Sequence, residues 1–228
     1  MKRSKRKKAL VICDGELPSR VALRKLAEGV DSIACADGGA NQARRYRITP
    51  DIIVGDLDSI TDATRRFYRT VPLIQNSSEE QTDLEKVLDV LLARGTKDVV
   101  VVGATGRRTD HTVTNFSILK KYHRKCNLRF VDRHCEIFVV DRKVKLSGKR
   151  GELISILPLG VGRGITTKGL KYSLRNETLE LGVREGQSNV IVSNPVEVSL
   201  KRGVLLLFRM HGPSRHSSRE ARKRSSRR

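Results

Sequence analysis

The chain has 228 residues, enough to bury a full core in one large domain or two modest ones. Its net charge of +21 invites a nucleic-acid reading, but residues 2–8 hold six basic groups and residues 215–228 a net six, which leaves +9 for the body. No apolar run approaches the roughly 18 residues of a membrane span, and the apolar stretch after the basic N-terminus stops at Asp14, too short for a signal peptide.

Ala9–Cys13 predicts a first strand, followed by a loop through Asp14, Gly15 and Pro18. Apolar spacing over Ser19–Gly29, with Ser at one end and Gly at the other, predicts a helix. Ser32–Ala36 predicts a second strand, and a short helix follows through Gln42–Tyr46. Ile52–Gly55 predicts a third, buried strand that leads into Asp56, Leu57, Asp58 and Ser59. Thr61–Tyr68 predicts a short helix and Val71–Gln75 a fourth strand. Thr82 and Glu85 have the spacing of a capping box, and Leu84, Val87, Leu88, Leu91 and Leu92 form one apolar stripe ended by Gly95. Asp98–Gly103 is nearly all valine, as a strand covered on both faces should be. The glycine loop from Gly103 to Thr109 opens onto a helix near Asp110, and Leu128–Val131 predicts a sixth strand. This alternation implies an α/β domain over residues 9–133, a parallel sheet covered by helices.

From about residue 133 the pattern changes. Short apolar segments at 137–140, 144–146, 153–157, 178–181, 189–193, 196–200 and 204–208 alternate with Gly-rich turns, and no helical stripe intervenes. An all-β sandwich domain is expected over residues 134–211. Gly160, Gly162 and Gly164 read as a hairpin turn. Residues 1–8 and 212–228 read as basic disordered tails able to contact polyanions nonspecifically. Cys13, Cys35, Cys126 and Cys135 form no CxxC pair, and three of them sit in or beside apolar runs. Buried free thiols and a cytoplasmic location are expected.

The residues able to do chemistry gather where strands end. Asp14, Asp37, the pair Asp56 and Asp58, and Asp132 follow strands, while Asp83 and Asp110 open helices. Side chains two apart on an extended segment share a side, so Asp56 and Asp58 can converge. Converging carboxylates repel unless a cation such as Mg²⁺ sits between them. The plain alternative is an acidic turn in which Asp58 and Ser59 cap the next helix. For Asp14 and Asp132 a cap or Asx turn is the favoured reading. The loop from Gly103 to Thr109 suits phosphate oxygens, with Arg107 and Arg108 as fork-shaped donors. It matches neither GxxxxGK[ST] nor GxGxxG. His111 reads as packing sooner than as a ligand contact. Tyr172 reads equally as packing or as a ring for a cationic substrate.

Asp37-Gly-Gly-Ala-Asn41, Gly55-Asp-Leu-Asp-Ser59, Gln81-Thr-Asp83, and Gly103-Ala-Thr-Gly-Arg-Arg-Thr-Asp-His111 with Asn115 occur in that order. Gly164-Ile-Thr-Thr-Lys-Gly-Leu-Lys-Tyr-Ser-Leu174 and Gly186-Gln-Ser-Asn189 follow. Together these motifs resemble the thiamine pyrophosphokinase (thiamine diphosphokinase) family over residues 9–209. The resemblance implies an α/β nucleotide domain, a β-sandwich domain and a homodimer. It also implies Mg²⁺-dependent transfer of the β,γ-diphosphate of ATP to thiamine, giving thiamine diphosphate and AMP. It implies that Asp56, Asp58 and Asp83 hold the metal. Asp37, Asn41, Gly103, Gly106, Arg108, Asp110, His111 and Asn115 would serve the nucleotide, and Gln81, Thr82, Ser188 and Asn189 the substrate. Arg108 would also stabilise charge on the transferring group, and Asp58 or Asp83 would accept the alcohol proton. Three positions depart from the family pattern: Arg107 replaces a small residue, Glu79 and Glu80 replace Lys-Asp, and Val190 replaces an acid. Two rivals stand beside this reading: a diphosphokinase of the same fold acting on another alcohol such as a hydroxymethylpterin, and a basic nucleic-acid-binding protein.

Overall fold

The computed structural model describes residues 6–213; segments 1–5 and 214–228 of the expected tails lie outside them. The chain divides into two compact units between Arg133 and His134. In the first, β1 (Lys7–Ile12), α1 (Arg20–Glu28), β2 (Ser32–Ala36), α2 (Gly39–Tyr46), β3 (Ile52–Gly55), α3 (Asp62–Phe67), β4 (Leu73–Gln75), α4 (Asp83–Ala93), β5 (Thr96–Val102), α5 (Thr109–Tyr122) and β6 (Asn127–Val131) follow one another. These strands pair in parallel in the order β6-β5-β1-β2-β3-β4. The chain runs outward from β1 to β4, then returns to lay β5 and β6 on the other side of β1. The strand order therefore reverses between β1 and β5, and the loops leaving those two strands flank the place where such sheets bind ligands.

Leu10, Ile12, Cys35, Ile53, Val100 and Val102 share a core with Leu23 of α1, Ala40 and Ala43 of α2, and Tyr68 after α3. The alternate residues Ala9, Val11, Ala34, Val54, Val99 and Val101 are also buried, on the face where α4 packs over β2, β3 and β5. Burial of both faces is what the valine run of β5 called for. No helix among the described residues is long and apolar enough to cross a membrane. All four cysteines are buried and none forms a disulfide. Burial pushes the Cys13 thiol up to about 12 and Cys35 higher still.

Two boundary shifts in the first unit matter most. β1 begins at Lys7, so Lys7 and Lys8, taken as part of a tail, pair instead with Thr96 and Asp98. α2 begins at Gly39, not Gln42. A Cβ on Gly39 would lie 2.0 Å from the Ile12 carbonyl oxygen, so only glycine lets the helix start this close to β1.

The second unit holds β7 (Cys135–Val140), β8 (Lys143–Leu146), β9 (Glu152–Pro158), β10 (Val161–Lys168), β11 (Glu177–Glu180), β12 (Gly186–Val190), β13 (Val196–Ser199) and β14 (Leu205–Pro213). Within it the antiparallel order is β12-β9-β14-β7 in one sheet and β11-β10-β13-β8 in the other. Ile154, Ile156, Leu205 and Leu207 of the first sheet and Ile165, Leu179, Val196 and Val198 of the second fill one core, the hallmark of a sandwich. The hairpin expected at Gly160, Gly162 and Gly164 is not formed. Gly162 and Gly164 lie inside β10, which belongs to the other sheet from β9. A Cβ on Gly162 would stand 2.9 Å from Leu205 Cδ2 and 3.1 Å from Ile165 Cδ1, so glycine is there to fit the core. The last strand continues to Pro213, past the expected boundary at 211.

The helix α4 carries its cap as foreseen. Thr82 Oγ1 accepts the Glu85 amide at 3.3 Å, and Glu85 Oε2 accepts the Thr82 amide at 3.0 Å. Glu85 Oε1 also accepts from Lys121 Nζ of α5 at 2.6 Å, so the cap ties two helices together. Burial raises the Glu85 pKa, but Lys121 and Thr82 outweigh it and hold the carboxyl below its ordinary 4.5. A folded-state pKa below the unfolded one gives stability that is present above the unfolded value and lost as pH falls through the folded one. Glu85→Gln should therefore be less stable than the parent in urea at neutral pH, by about 1–2 kcal/mol. The gap should close as the solution is acidified; a gap that ignores pH would show that the Glu85 charge does not matter.

Candidate functional site

The parallel register of β2 and β3 sets Ala36 opposite Val54. The ladder continues one step, with the Asp37 amide donating to the Val54 carbonyl at 2.9 Å. Asp37 thus stands beside Gly55, and Asp56 comes next. Asp37 and Leu57 adopt left-handed φ values of 38° and 70°, and Asp56 Oδ1 accepts the Asp58 amide at 3.2 Å across the turn. One carboxylate oxygen each from Asp37, Asp56 and Asp58 come to lie within 4.8 Å of one another. The spot is tight: a Cβ on Gly55 would lie 2.6 Å from Asp37 Cβ and 3.2 Å from Asp83 Oδ1. Asp83, at the start of α4, therefore borders the cluster from a distant part of the chain. Its Oδ1 is engaged by the buried Lys86 ammonium at 3.1 Å. The helix-cap alternative for Asp58 and Ser59 is excluded. Thr61 caps α3, and Asp58 Oδ1 accepts the Ser59 hydroxyl at 2.9 Å.

Asp37 is only 3% exposed. Its Oδ2 accepts the Ser59 amide at 3.1 Å, but its Oδ1 is buried without a hydrogen-bond partner. Burial, and then the Asp83 charge, push the Asp37 pKa above the usual carboxylate range against the opposing pull of Ser59. A buried orphan oxygen among other carboxylates is satisfied by a hard divalent cation. The donors are all oxygen, a set that suits Mg²⁺ better than a thiolate-seeking metal.

At the sheet's switch point the loops leaving β1 and β5 interlock. The Gly15 amide donates to the Gly103 carbonyl at 2.9 Å, and the Glu16 amide to the Thr105 carbonyl at 2.7 Å. A Cβ on Gly15 would lie 2.3 Å from the Thr105 carbonyl oxygen, and one on Gly103 2.4 Å from that of Cys13. Arg107 takes a left-handed φ of 55° where a small residue was the pattern. Its Nη1 donates to the Asp14 carbonyl at 2.8 Å and to Asp14 Oδ2 at 2.6 Å. Gln42 Nε2 donates to the other Asp14 carboxylate oxygen at 3.0 Å. Asp14 is thus no helix cap; Ser19 caps α1. Asp132 also serves the glycine loop, accepting the Thr105 hydroxyl at 3.0 Å. Asn115 Nδ2 donates to the Ala104 carbonyl at 2.7 Å. Arg108 makes a two-point ion pair with Asp110, which pulls the Asp110 carboxyl down to about 2. His111 is exposed, so the packing reading for it does not hold.

Several residues expected to touch ligands spend their polar atoms on the protein. Asn41 Nδ2 donates to the Ser59 carbonyl at 2.8 Å, and its Oδ1 accepts the Thr61 amide and hydroxyl, both at 3.2 Å. It fixes the carboxylate turn. Gln81 Nε2 donates to Asp89 Oδ2 at 2.8 Å, and the Thr82 hydroxyl is the α4 cap. In the second unit, the buried Asn189 accepts the Tyr172 amide at 3.0 Å and donates to the Tyr172 carbonyl at 2.7 Å. Tyr172 itself is 61% exposed, not packed. Ser188 takes a φ of 56°, and its amide donates to the Ser155 hydroxyl at 3.0 Å. Sequence reasoning missed Gln42 and Lys86. Only sheet order brings Gln42 to Asp14, whereas the i,i+3 spacing of Asp83 and Lys86 on one helix was a usable signal.

Two family models match: "Thiamin pyrophosphokinase, catalytic domain" over residues 23–130, and "Thiamin pyrophosphokinase, vitamin B1 binding domain" over residues 139–205. The chain is 30% identical over 224 residues to thiamine pyrophosphokinase 2 of Oryza sativa subsp. japonica, covering 85% of this chain and 82% of the relative. It is 28% identical over 169 residues to thiamine pyrophosphokinase of Bacillus subtilis (strain 168), covering 71% and 79% respectively. Its fold matches the solved thiamin pyrophosphokinase of Candida albicans with a TM-score of 0.81, covering 90% of each chain at 21% identity.

A carboxylate pushed up by burial and by the Asp83 charge, as Asp37 is, costs folding stability while it is ionised. In a chelator, Asp37→Asn should melt above the parent, since it removes a buried charge from a like-charged cluster. A gain of 1 kcal/mol would read as about 2–4 °C in a chain of this size. A lower melting point in differential scanning calorimetry would show that the Asp37 charge is not under strain.

Proposed function

The chain belongs to the thiamine pyrophosphokinase family, and from that premise we propose the reaction and the roles of its residues. The protein makes thiamine diphosphate from thiamine and ATP. We assign the step as transfer of the β,γ-diphosphate of ATP to the thiamine hydroxyl, with AMP released. One observation carries the site assignment: the buried, unpartnered Oδ1 of Asp37 in a cluster with Asp56 and Asp58.

In this reading Asp37, Asp56 and Asp58 hold Mg²⁺ and Asp83 adjoins them, which moves Asp37 from the nucleotide set into the metal set. Bound there, Mg²⁺ would neutralise triphosphate oxygens and favour in-line displacement. The chain's own part is to position. The β5 loop is held rigid by Gly15, Arg107, Asn115 and Asp132, so its amides are aimed before any phosphate arrives. Arg108, now paired with the exposed Asp110, has the fork geometry to pair with a phosphate instead. A carboxylate of the cluster takes the hydroxyl proton. On the second unit the exposed Tyr172 ring, on a main chain held by Asn189, suits a flat cationic heterocycle; Lys171 Nζ already lies 5.3 Å from its centre. Thiamine is favoured over a pterin because the second unit matches the vitamin B1 binding model. We also propose a homodimer, for which the exposed Leu181 and Val183 after β11 offer apolar surface. A reducing, cytoplasmic location is consistent with four buried cysteines that form no disulfide.

The direct test is AMP release from ATP with Mg²⁺ and thiamine. Turnover should require both thiamine and Mg²⁺, stop in chelator, and fail with a hydroxymethylpterin. Asp56→Asn and Asp58→Asn should each lower kcat by about 10²-fold or more. Near-parental turnover in either variant would remove that carboxylate from the metal site.

A further inference from the structure

Carboxylates gather just past the ends of β2 and β3, and a separate group of cations gathers where β1, β5 and β6 begin. Arg6 ahead of β1, Lys97 in β5, and His123, Arg124 and Lys125 after α5 line an open concavity of ≈ 390 Å³. The register explains the convergence. Lys97 falls in a bulge between the pairs Lys7 with Thr96 and Lys8 with Asp98, and Asp98 faces Asn127 at the start of β6. Arg6, Lys97, Arg124 and Lys125 are all exposed. Among the described residues no carboxylate forms an ion pair with Arg6, Lys97 or Lys125.

The dipole at the C-terminus of α5 accounts for Arg124 and Lys125. It does not account for Arg6 and Lys97, which arrive from two strands at the same hollow. The two lysines come close enough to act on one group: the Cys126 thiol, raised to about 11 chiefly by burial and further by the half-buried Asp98, is pulled back by both Lys97 and Lys125. Like charges gathered in this way repel one another and are relieved by an anion. The sequence just before Arg6 adds Lys2, Arg3 and Lys5.

We propose that this hollow docks the sugar–phosphate backbone of a nucleic acid, at the opposite end of the strands from the carboxylate cluster. Apart from the half-buried His123, none of the lining residues is aromatic, so bases have little ring surface to stack on and binding rests on the backbone far more than on sequence. Nor does the lining hold a large apolar side chain, the feature by which an interfacial surface enters a bilayer. Attraction then rests on phosphate contacts and weakens steeply with salt.

The test uses the full chain and a fluorescein-labelled oligouridylate, with anisotropy read across a salt series. The variant Lys97→Glu/Arg124→Glu/Lys125→Glu should bind about ten-fold or more weakly. Its slope of log affinity against log salt should be shallower by about 2–3, the loss of three phosphate contacts. Thiamine diphosphate formation should stay at the parental rate, which also reports an intact fold. A milder Lys97→Gln/Lys125→Gln variant should fall between the two. Unchanged affinity and slope in both variants would overturn the proposal and leave binding to the tails alone. A parent that sediments with phosphatidylserine vesicles but ignores the oligonucleotide would overturn it in favour of a lipid surface.

Discussion

The end of β2 and β3 is built around the close approach of three carboxylates. Asp37, Asp56 and Asp58 present oxygens within 4.8 Å of one another, an arrangement that no isolated peptide would hold. Backbone geometry holds it here. The pairing of β2 with β3 fixes Asp37 against Gly55, and Asn41 spends its whole amide on the following turn. Burial of Asp37 then sharpens the electrostatic strain. The strain is local and the scaffold that resists it is spread over two strands, a helix and a turn, which is how a site can stay ready for a cation.

The neighbouring glycine loop after β5 is organised on a different principle. Its conformation is fixed by main-chain contact with the loop after β1, then fastened by side chains from outside: Arg107 on Asp14, Asp132 on Thr105, Asn115 on Ala104. Arg107 is the departure from the family pattern that matters most here. A left-handed arginine is less favourable than a glycine, but its guanidinium gives back two contacts to Asp14. The chain has exchanged freedom in the loop for an added fastening.

Much of this was legible in the sequence, and what was not has specific causes. The α/β unit announced itself through short apolar strands and the Thr82–Glu85 cap, since those signals are local. The Asp56 and Asp58 pair was legible because two residues on an extended segment share a side. The partnership of Asp37 with them was not, because it depends on which strands are neighbours. Strand β10 was lost because Gly162 and Gly164, needed for close packing, look like turn residues. The real work of Asn41 and Asn189 was hidden as well. A motif shows that an amide is present, but only the folded backbone shows that its partners are other parts of the protein.

The interlocked glycines carry a consequence for genetics. Gly15, Gly39 and Gly103 have carbonyl oxygens where a methyl group would go, at 2.3, 2.0 and 2.4 Å. A survey scored on growth alone would flag them beside the aspartates and suggest one extended active centre. The two classes differ in kind: an alanine at a glycine position would force apart backbone segments that touch and lower the yield of folded protein, while an asparagine at an aspartate, in the role proposed for it, would leave the yield intact and disable the chemistry. Measuring abundance alongside growth would sort the hinge-like joinery of this corner from its reactive groups.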